Sequence, residues 1–273
     1  MRQFSRKRGT LDQPDRFVEK SKQPCTPPRF VDAHGPSRLA RQDHGMVTMR
    51  LDDLEYTLEG LCSPRASIIV LRRCATDLVT HIADRKQRTM LFRASGVLSH
   101  ILSTAAKVTS TDAHVSLAIA TVLHVIAHEE AGGGAEARSL VACLLRRLPH
   151  GHAGQAGSSG PSAPPSVSTA GTAVAAEKLW ALVREACAGQ AERLAPPPGS
   201  EWTEAAVMAT ARRACMFGIE AAAAASALCR QEMRSQGGVS GLLAALNAIA
   251  SQPDELTENW AEAEGCLQAR RWV

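Results

Sequence analysis

Residues 67–83 read SIIVLRRCATDLVTHIA, and this stretch decides the fold class. Its apolar side chains recur at positions 68, 71, 75, 78 and 82, a spacing that brings them onto one face of an α-helix. The same kind of spacing predicts further helices over residues 52–61, 85–93, 97–106, 112–128, 135–148, 177–193, 201–216, 219–235, 238–250 and 255–271. Consecutive short helices of this kind indicate an all-α protein.

Serial helices with short turns are typical of two architectures, a HEAT- or armadillo-like α-solenoid and a compact helical bundle. In a solenoid the helix pairs would recur at about 40 residues. The sequence has no clean period, so any repeats are degenerate, and periodicity leaves both architectures open. The composition, with 45% hydrophobic residues but only ten aromatic ones among 273, argues against an all-β fold and against a wholly disordered chain.

Two segments lack any helical pattern. Residues 1–45 are rich in Arg, Lys, Gln and Pro, which predicts a disordered basic tail. Residues 149–176 consist mainly of Gly, Ser, Pro and Ala, which predicts a flexible linker. These segments divide the chain into two helical blocks, 46–148 and 177–273.

The net charge of +4 is unevenly distributed. Residues 1–50 hold eleven Lys and Arg against five Asp and Glu, whereas residues 51–273 hold twenty against twenty-two. A basic body would suggest a nucleic-acid surface, so we expect no direct sequence-specific nucleic acid binding here. A basic tail suggests weak polyanion contact or targeting. The cluster Arg6-Lys7-Arg8 fits nuclear import, and a solvated charged terminus explains it equally well.

The sequence predicts neither secretion nor a membrane span. No apolar run occurs in the first thirty residues, and the longest candidate span, 214–229, is Ala-rich and interrupted by Glu220. The eight cysteines form no CxxC pair. Apart from Cys25 they lie in apolar helical patterns, so we expect all seven to be reduced, buried thiols of an intracellular protein.

Few residues suggest chemistry. His124 and His128 are four apart, a spacing that can chelate a metal, but HExxH is absent. With His114 and Thr121 they are better interpreted as a polar, solvent-facing stripe. Phosphate-loop, dinucleotide and nucleophile-elbow motifs are missing, so we expect no enzyme and no cofactor. A metal-dependent enzyme using both histidines would instead carry stoichiometric metal.

Several segments resemble the wings apart-like (WAPL) domain of the cohesin release factor. The run LDDLEYTLEGLCSPRAS at 51–67 is similar to the opening of that domain, and FRASGVLSHILSTA, SLAIATVLHVIAHE, CRQEMRSQGGVSGLLAAL and NWAEAEGCLQARRW are similar to later segments in the same order. In the opening segment the matching residues are Asp52, Asp53, Glu55, Tyr56, Leu58, Gly60 and Leu61. The resemblance covers the N-terminal half of the family's domain and implies a domain truncated at residue 273.

The resemblance implies a HEAT-like α-solenoid of degenerate repeats and a nuclear regulator of sister chromatid cohesion. It implies binding to cohesin, at the ATPase head, the kleisin and the associated HEAT-repeat subunits, and promotion of cohesin release without catalysis. We expect Asp52, Asp53, Glu55 and Tyr56 to contact the partner, while capping and solvation of a first helical turn explain the acids equally well. A generic helical-repeat adaptor with unrelated protein partners is the alternative.

Overall fold

The computed structural model describes residues 38–130, 134–148, 169–196, 201–238, 240 and 242–243. Within these ranges the chain forms ten α-helices and no β-strand, so the all-α prediction is confirmed for this part of the chain. The helices are α1 (Arg38–Cys62), α2 (Ile68–Ala83), α3 (Arg85–Arg93), α4 (Val97–Lys107), α5 (Ala113–Glu129), α6 (Gly134–Arg146), α7 (Thr169–Ala186), α8 (Ala191–Leu194), α9 (Glu204–Ala225) and α10 (Ala227–Ser235).

The chain divides into two compact units, residues 1–42 and 43–273. Of the first unit only residues 38–42, at the start of α1, are described. The core, the cavities and the contacts discussed below all belong to the second unit.

Two helices begin earlier than the sequence predicts. Helix α1 begins at Arg38, within the segment 1–45 that was expected to be a disordered tail. Helix α7 begins at Thr169, within the expected linker 149–176. The rest of both segments, most of the predicted helix 238–250 and all of 255–271 lie outside the described residues.

Short polar side chains fix where several helices start. The Ser67 hydroxyl accepts a hydrogen bond from the Val70 N–H, and an Asp112 carboxylate oxygen accepts one from Val115. Thr203 caps α9 in the same way, with its hydroxyl accepting a hydrogen bond from the Ala206 N–H. These caps satisfy backbone donors that a helix N-terminus otherwise leaves unpaired.

Helix α9 corrects a predicted break. The sequence predicts two helices, 201–216 and 219–235, but α9 runs without interruption through Gly218, which lies between those ranges. A Cβ at Gly218 would lie 3.0 Å from Leu144 Cδ2 and 3.4 Å from the Cα of His124. The glycine therefore serves close packing of α9 against α5 and α6. The break occurs instead at Ser226, whose hydroxyl caps α10.

Helix α5 lies at the centre of the core. Fourteen of its residues are buried on all sides, as expected for a helix that is apolar all round. It packs most extensively against α9 and also contacts α2, α6 and α7. Of the predicted solvent-facing stripe on this helix, His128 is exposed, but the prediction is wrong for the other three residues, because Thr121 is fully buried, His124 is 1% exposed and His114 is 9% exposed.

All but one of the described cysteines are buried in the core. Five of the described thiols are buried, namely Cys74, Cys143, Cys187, Cys215 and Cys229, and all are free. Cys62 is exposed at the end of α1, so the prediction that it is buried is wrong. Cys25 and Cys266 lie outside the described residues. None of the described helices is both long enough and apolar enough to cross a membrane.

Candidate partner-binding face

Helix α1 is amphipathic where it meets the core. Leu54, Leu58 and Leu61 are at most 4% exposed and pack into the core. Because they recur every three or four residues, they occupy one stripe and leave the opposite stripe to solvent. Burial on this scale anchors α1 by roughly 1.5–3 kcal/mol per leucine.

The opposite side of α1 carries the residues that the resemblance singles out. Asp52, Asp53, Glu55 and Tyr56 are all exposed, and Tyr56 is 78% exposed. Asp52 and Tyr56 are one turn apart, and Glu55 and Glu59 lie beside them on the same face. We call Asp52, Asp53, Glu55, Tyr56 and Glu59 the acidic face.

The acidic face has no structural partner within the described part of the chain. None of its side chains makes a hydrogen bond or an ion pair there; the Asp53 carbonyl oxygen, a backbone group, accepts from the Thr57 hydroxyl. Capping cannot explain the acids, because α1 begins at Arg38 and its first turn contains no acidic residue. An exposed tyrosine among four uncompensated carboxylates is thus available to a partner.

The negative charge of the acidic face acts on His81, at the end of α2. Burial lowers the pKa of His81 at the end of α2, and the negative charge of Asp53 opposes that shift. Arg50 acts in the same direction as burial. Asp53 is therefore close enough to influence a titrating group on the neighbouring helix, although no direct bond joins the two side chains.

A groove adjoins the acidic face. A cavity of about 260 Å³ lies between α1 and the start of α4, lined by Leu51, Leu54, Glu55, Leu58, Ser95, Gly96, Val97 and His100. Gly96, the residue before α4, has a φ of 82°, a left-handed conformation that glycine adopts without strain. Glu55 belongs to both the groove and the acidic face, so an apolar group and a basic group of one partner could bind side by side.

His124 and His128 on α5 do not form the solvent-facing stripe that the sequence predicts. The rings of His124 and His128 are in edge-to-face contact with centroids 4.5 Å apart, and both line a second cavity. No group of three or more His, Cys, Asp or Glu in the described residues could hold a metal ion. Arg88 and Glu129, which also line this cavity, form an ion pair in which Arg88 is buried, and no sequence motif indicates this pair.

The segment 229–246 of the resemblance is only partly described. Gly237 has a φ of 71° and follows the end of α10. A Cβ at Gly238 would lie 2.7 Å from the Met233 carbonyl oxygen, so the chain turns tightly there. Glu232 on α10 forms an exposed ion pair with Arg138 on α6. The described part of the segment thus ends α10 in a tight turn.

Comparison with known proteins identifies no relative of this chain. No protein-family model, no curated protein and no solved structure matches this chain. What is known of the acidic face and its groove is therefore their geometry alone.

Proposed function

We propose that this chain is a nuclear, non-enzymatic regulator of sister chromatid cohesion that binds cohesin through the acidic face of α1 and promotes its release from chromatin. The observation that carries the proposal is the acidic face itself. Its residues coincide with the segment that resembles the WAPL domain, and none of them is needed to hold α1 in place. A surface with four carboxylates and one tyrosine suits a basic partner segment.

We further propose that the helices form a HEAT- or armadillo-like solenoid. Support comes from seven long-range hydrogen-bonded pairs within residues 46–148, each of which joins residues 37 to 41 positions apart. The pairs are Ser99–Glu136, Thr76–His114, Arg147–Val108, Arg72–Asp112, Arg146–Ala106, Cys143–Leu102 and Arg88–Glu129. A constant offset near 40 residues is the repeat length of such solenoids.

The helix contacts support the same arrangement. Helix α5 packs between α2 and α9, while α6 packs between α4 and α10, so neighbouring repeats would stack in two rows. The second row includes α6–α10 contacts although 94 residues separate Arg138 from Glu232. Helices α7 and α8 and the residues before them lie within that longer separation, as an insertion between two repeats would.

The acidic face would act through differential affinity. A protein that catalyses no reaction can shift cohesin toward release only if it binds the open state more tightly than the closed state. In this proposal a basic segment of cohesin contacts Asp52, Asp53 and Glu55, and an apolar side chain of the same segment fills the groove beside Glu55. Tyr56 supplies a rigid, amphipathic contact, as tyrosine often does at interfaces.

Binding of the full chain to cohesin tests the proposal. The chain would be immobilised and incubated with nuclear extract of the same organism, and retention of the ATPase and kleisin subunits would be measured. We expect retention by the native chain and at least about tenfold weaker retention by Asp53→Lys/Glu55→Lys, since charge reversal converts attraction into repulsion. Far-UV circular dichroism should show the same helix content in both.

A matched variant separates a specific face from overall charge. Glu177→Lys/Glu185→Lys makes the same change of charge on exposed positions of α7 and should leave retention unchanged. Equal losses in both variants would refute the acidic face. Absence of cohesin from material retained by folded native chain would refute the release-factor function and favour the helical-repeat adaptor with unrelated partners.

A further inference from the structure

A cavity of about 270 Å³ lies where α3, α5 and the end of α7 meet, on residues that the proposed partner face does not use. Its walls include Arg85 and Arg88 from α3, His124 and His128 from α5, and Gln190 from the turn after α7. Val125, Ala186 and Ala188 supply apolar wall. A space of this volume with a few convergent polar groups is suited to a small organic molecule.

His124 is the most unusual group in this cavity. Its side chain is 1% exposed, and neither Nδ1 nor Nε2 has a hydrogen-bond partner. Burial lowers the pKa of His124 to about 3, so the ring is neutral at physiological pH and offers one N–H donor and one acceptor. The backbone of Ala214 opposes the shift but does not meet hydrogen-bond geometry with either nitrogen. Buried polar atoms of folded proteins are usually paired, so these two call for an explanation.

The charges around the cavity favour an anion. Arg88 and Glu129 neutralise each other in a paired contact. The guanidinium of Arg85 is then the cation of the wall that makes no hydrogen bond or ion pair to the described residues, since the Arg85 contact with Thr89 uses the backbone carbonyl oxygen. Burial lowers the pKa of His128, and Arg193 lowers it further by its positive charge. Arg193 also acts on His124 in that direction. Glu220 and Glu129 oppose this shift at His128, and Arg193 is itself paired with Glu220, so the guanidinium of Arg85 is the charge that favours an anion.

The free polar groups are mainly donors. Arg193 Nη1 donates to Gln190 Oε1 over 3.3 Å, which leaves the NH₂ group of Gln190 without a partner among the described residues. Arg85 has a planar guanidinium that can donate two parallel hydrogen bonds to a carboxylate. One uncompensated positive charge balances one negative charge, which favours a monoanionic carboxylate over a doubly charged phosphate.

We propose that this cavity binds a small organic molecule through a single carboxylate, held by Arg85 and by the unpaired imidazole of His124, with its apolar part against Val125, Ala186 and Ala188. His128, which is exposed at the rim, gives access from solvent. The site is independent of the proposed cohesin function, because no residue of the acidic face contributes to it.

Propionate is a suitable probe, with propionamide as its neutral counterpart and inorganic phosphate as the competing anion class. The histidine ring ¹H–¹³C resonances of the full chain would be assigned by single substitutions and followed during titration. We expect propionate to shift the His124 and His128 resonances to saturation, with a Kd in the millimolar range for so small a ligand. Propionamide should produce no saturable shift at the same concentrations.

Two variants test the residue assignment. Arg85→Gln should weaken propionate binding by about tenfold, the effect of losing one charge-assisted contact, without affecting the fold because Arg85 is exposed. Arg184→Gln, at an exposed position of α7 outside the cavity, should leave binding unchanged. An equal response to propionamide, tighter binding of phosphate, no saturation with propionate, or unchanged affinity in Arg85→Gln would each overturn the proposal.

Discussion

Arg88 on α3 and Glu129 at the end of α5 form a two-contact ion pair, with Arg88 Nε donating to Glu129 Oε2 over 2.8 Å and Nη2 donating to Oε1. Arg88 is 6% exposed and Glu129 is 33% exposed. The remaining guanidinium nitrogen, Nη1, donates to the carbonyl oxygens of Ile82 and Ala186. One side chain thereby connects the ends of α2, α5 and α7.

Substitution of Arg88 should be strongly destabilising. In Arg88→Met the Glu129 carboxylate and two carbonyl oxygens lose their donor, and we expect a loss of about 3 kcal/mol in the free energy of unfolding. Urea unfolding followed by circular dichroism measures it. Arg73→Met is the matched control, because Arg73 is 84% exposed and its ion pair with Asp77 is long, with 3.9 Å between Nε and Oδ2. It should cost less than about 0.5 kcal/mol, and equal losses would contradict a special role for Arg88.

Gly60 on α1 lies directly against Cys74 on α2. A Cβ at Gly60 would lie 2.6 Å from Cys74 Sγ, a distance that forces one helix or the thiol to move. We expect Gly60→Ala to cost about 2 kcal/mol despite the better helix propensity of alanine. Cys74→Ala removes the obstacle, so the double variant should be more stable than the sum of the single changes by about 1 kcal/mol. Additive losses in a double-mutant cycle would show that the clash is absent.

The sequence predicts a helix boundary well when the residues that determine the boundary are close to it in the sequence. Residues 68–83 and 85–93 were predicted almost to the residue, because an apolar period and a polar cap are both local signals. The sequence predicts separate helices over 201–216 and 219–235, whereas α9 continues through Gly218. That glycine allows the close approach of Leu144 and His124, which are 74 and 94 positions away in the sequence and give no local signal.

The candidate sites, too, depend in part on residues that are distant in the sequence. Asp52, Asp53, Glu55 and Tyr56 are exposed, and their contact with a partner remains a prediction. His124 was assigned to solvent because polar residues on a helix usually mark the outer face. Helix α5 is exposed only at its C-terminal end, at His128 and Glu129, and the run of apolar residues on every side of the helix up to Ala127 indicates its burial. Arg88 gave no signal, because its partner Glu129 is 41 residues away.

Acid should destabilise the fold through His124. Burial lowers its pKa in the folded state to about 3, whereas a histidine in the unfolded chain titrates near 6.5. Between these values the unfolded state binds the extra proton, so stability falls as the pH falls. We expect a contribution on the order of 1 kcal/mol per pH unit between about pH 6 and pH 4.

His124→Leu isolates this contribution. Urea unfolding of the native chain and of the variant would be compared at several pH values, and their difference should change by that slope across the window. The leucine variant keeps the carboxylates that also respond to acid, so their effect cancels in the difference. Parallel curves for both proteins would mean that His124 is not buried in its neutral form.

Thiol reactivity should follow burial rather than sequence context. Cys62 is exposed, whereas burial raises the pKa of both Cys187 and Cys215 to about 12 and keeps these thiols protonated. Because the thiolate is the reactive form, iodoacetamide at pH 8 should modify Cys62 more than about a hundredfold faster than the two buried thiols. Mass spectrometry of the alkylated peptides gives the three rates. In urea the rates should converge, and rapid modification of Cys215 in the native chain would contradict the packing of α9 against α5 and α6.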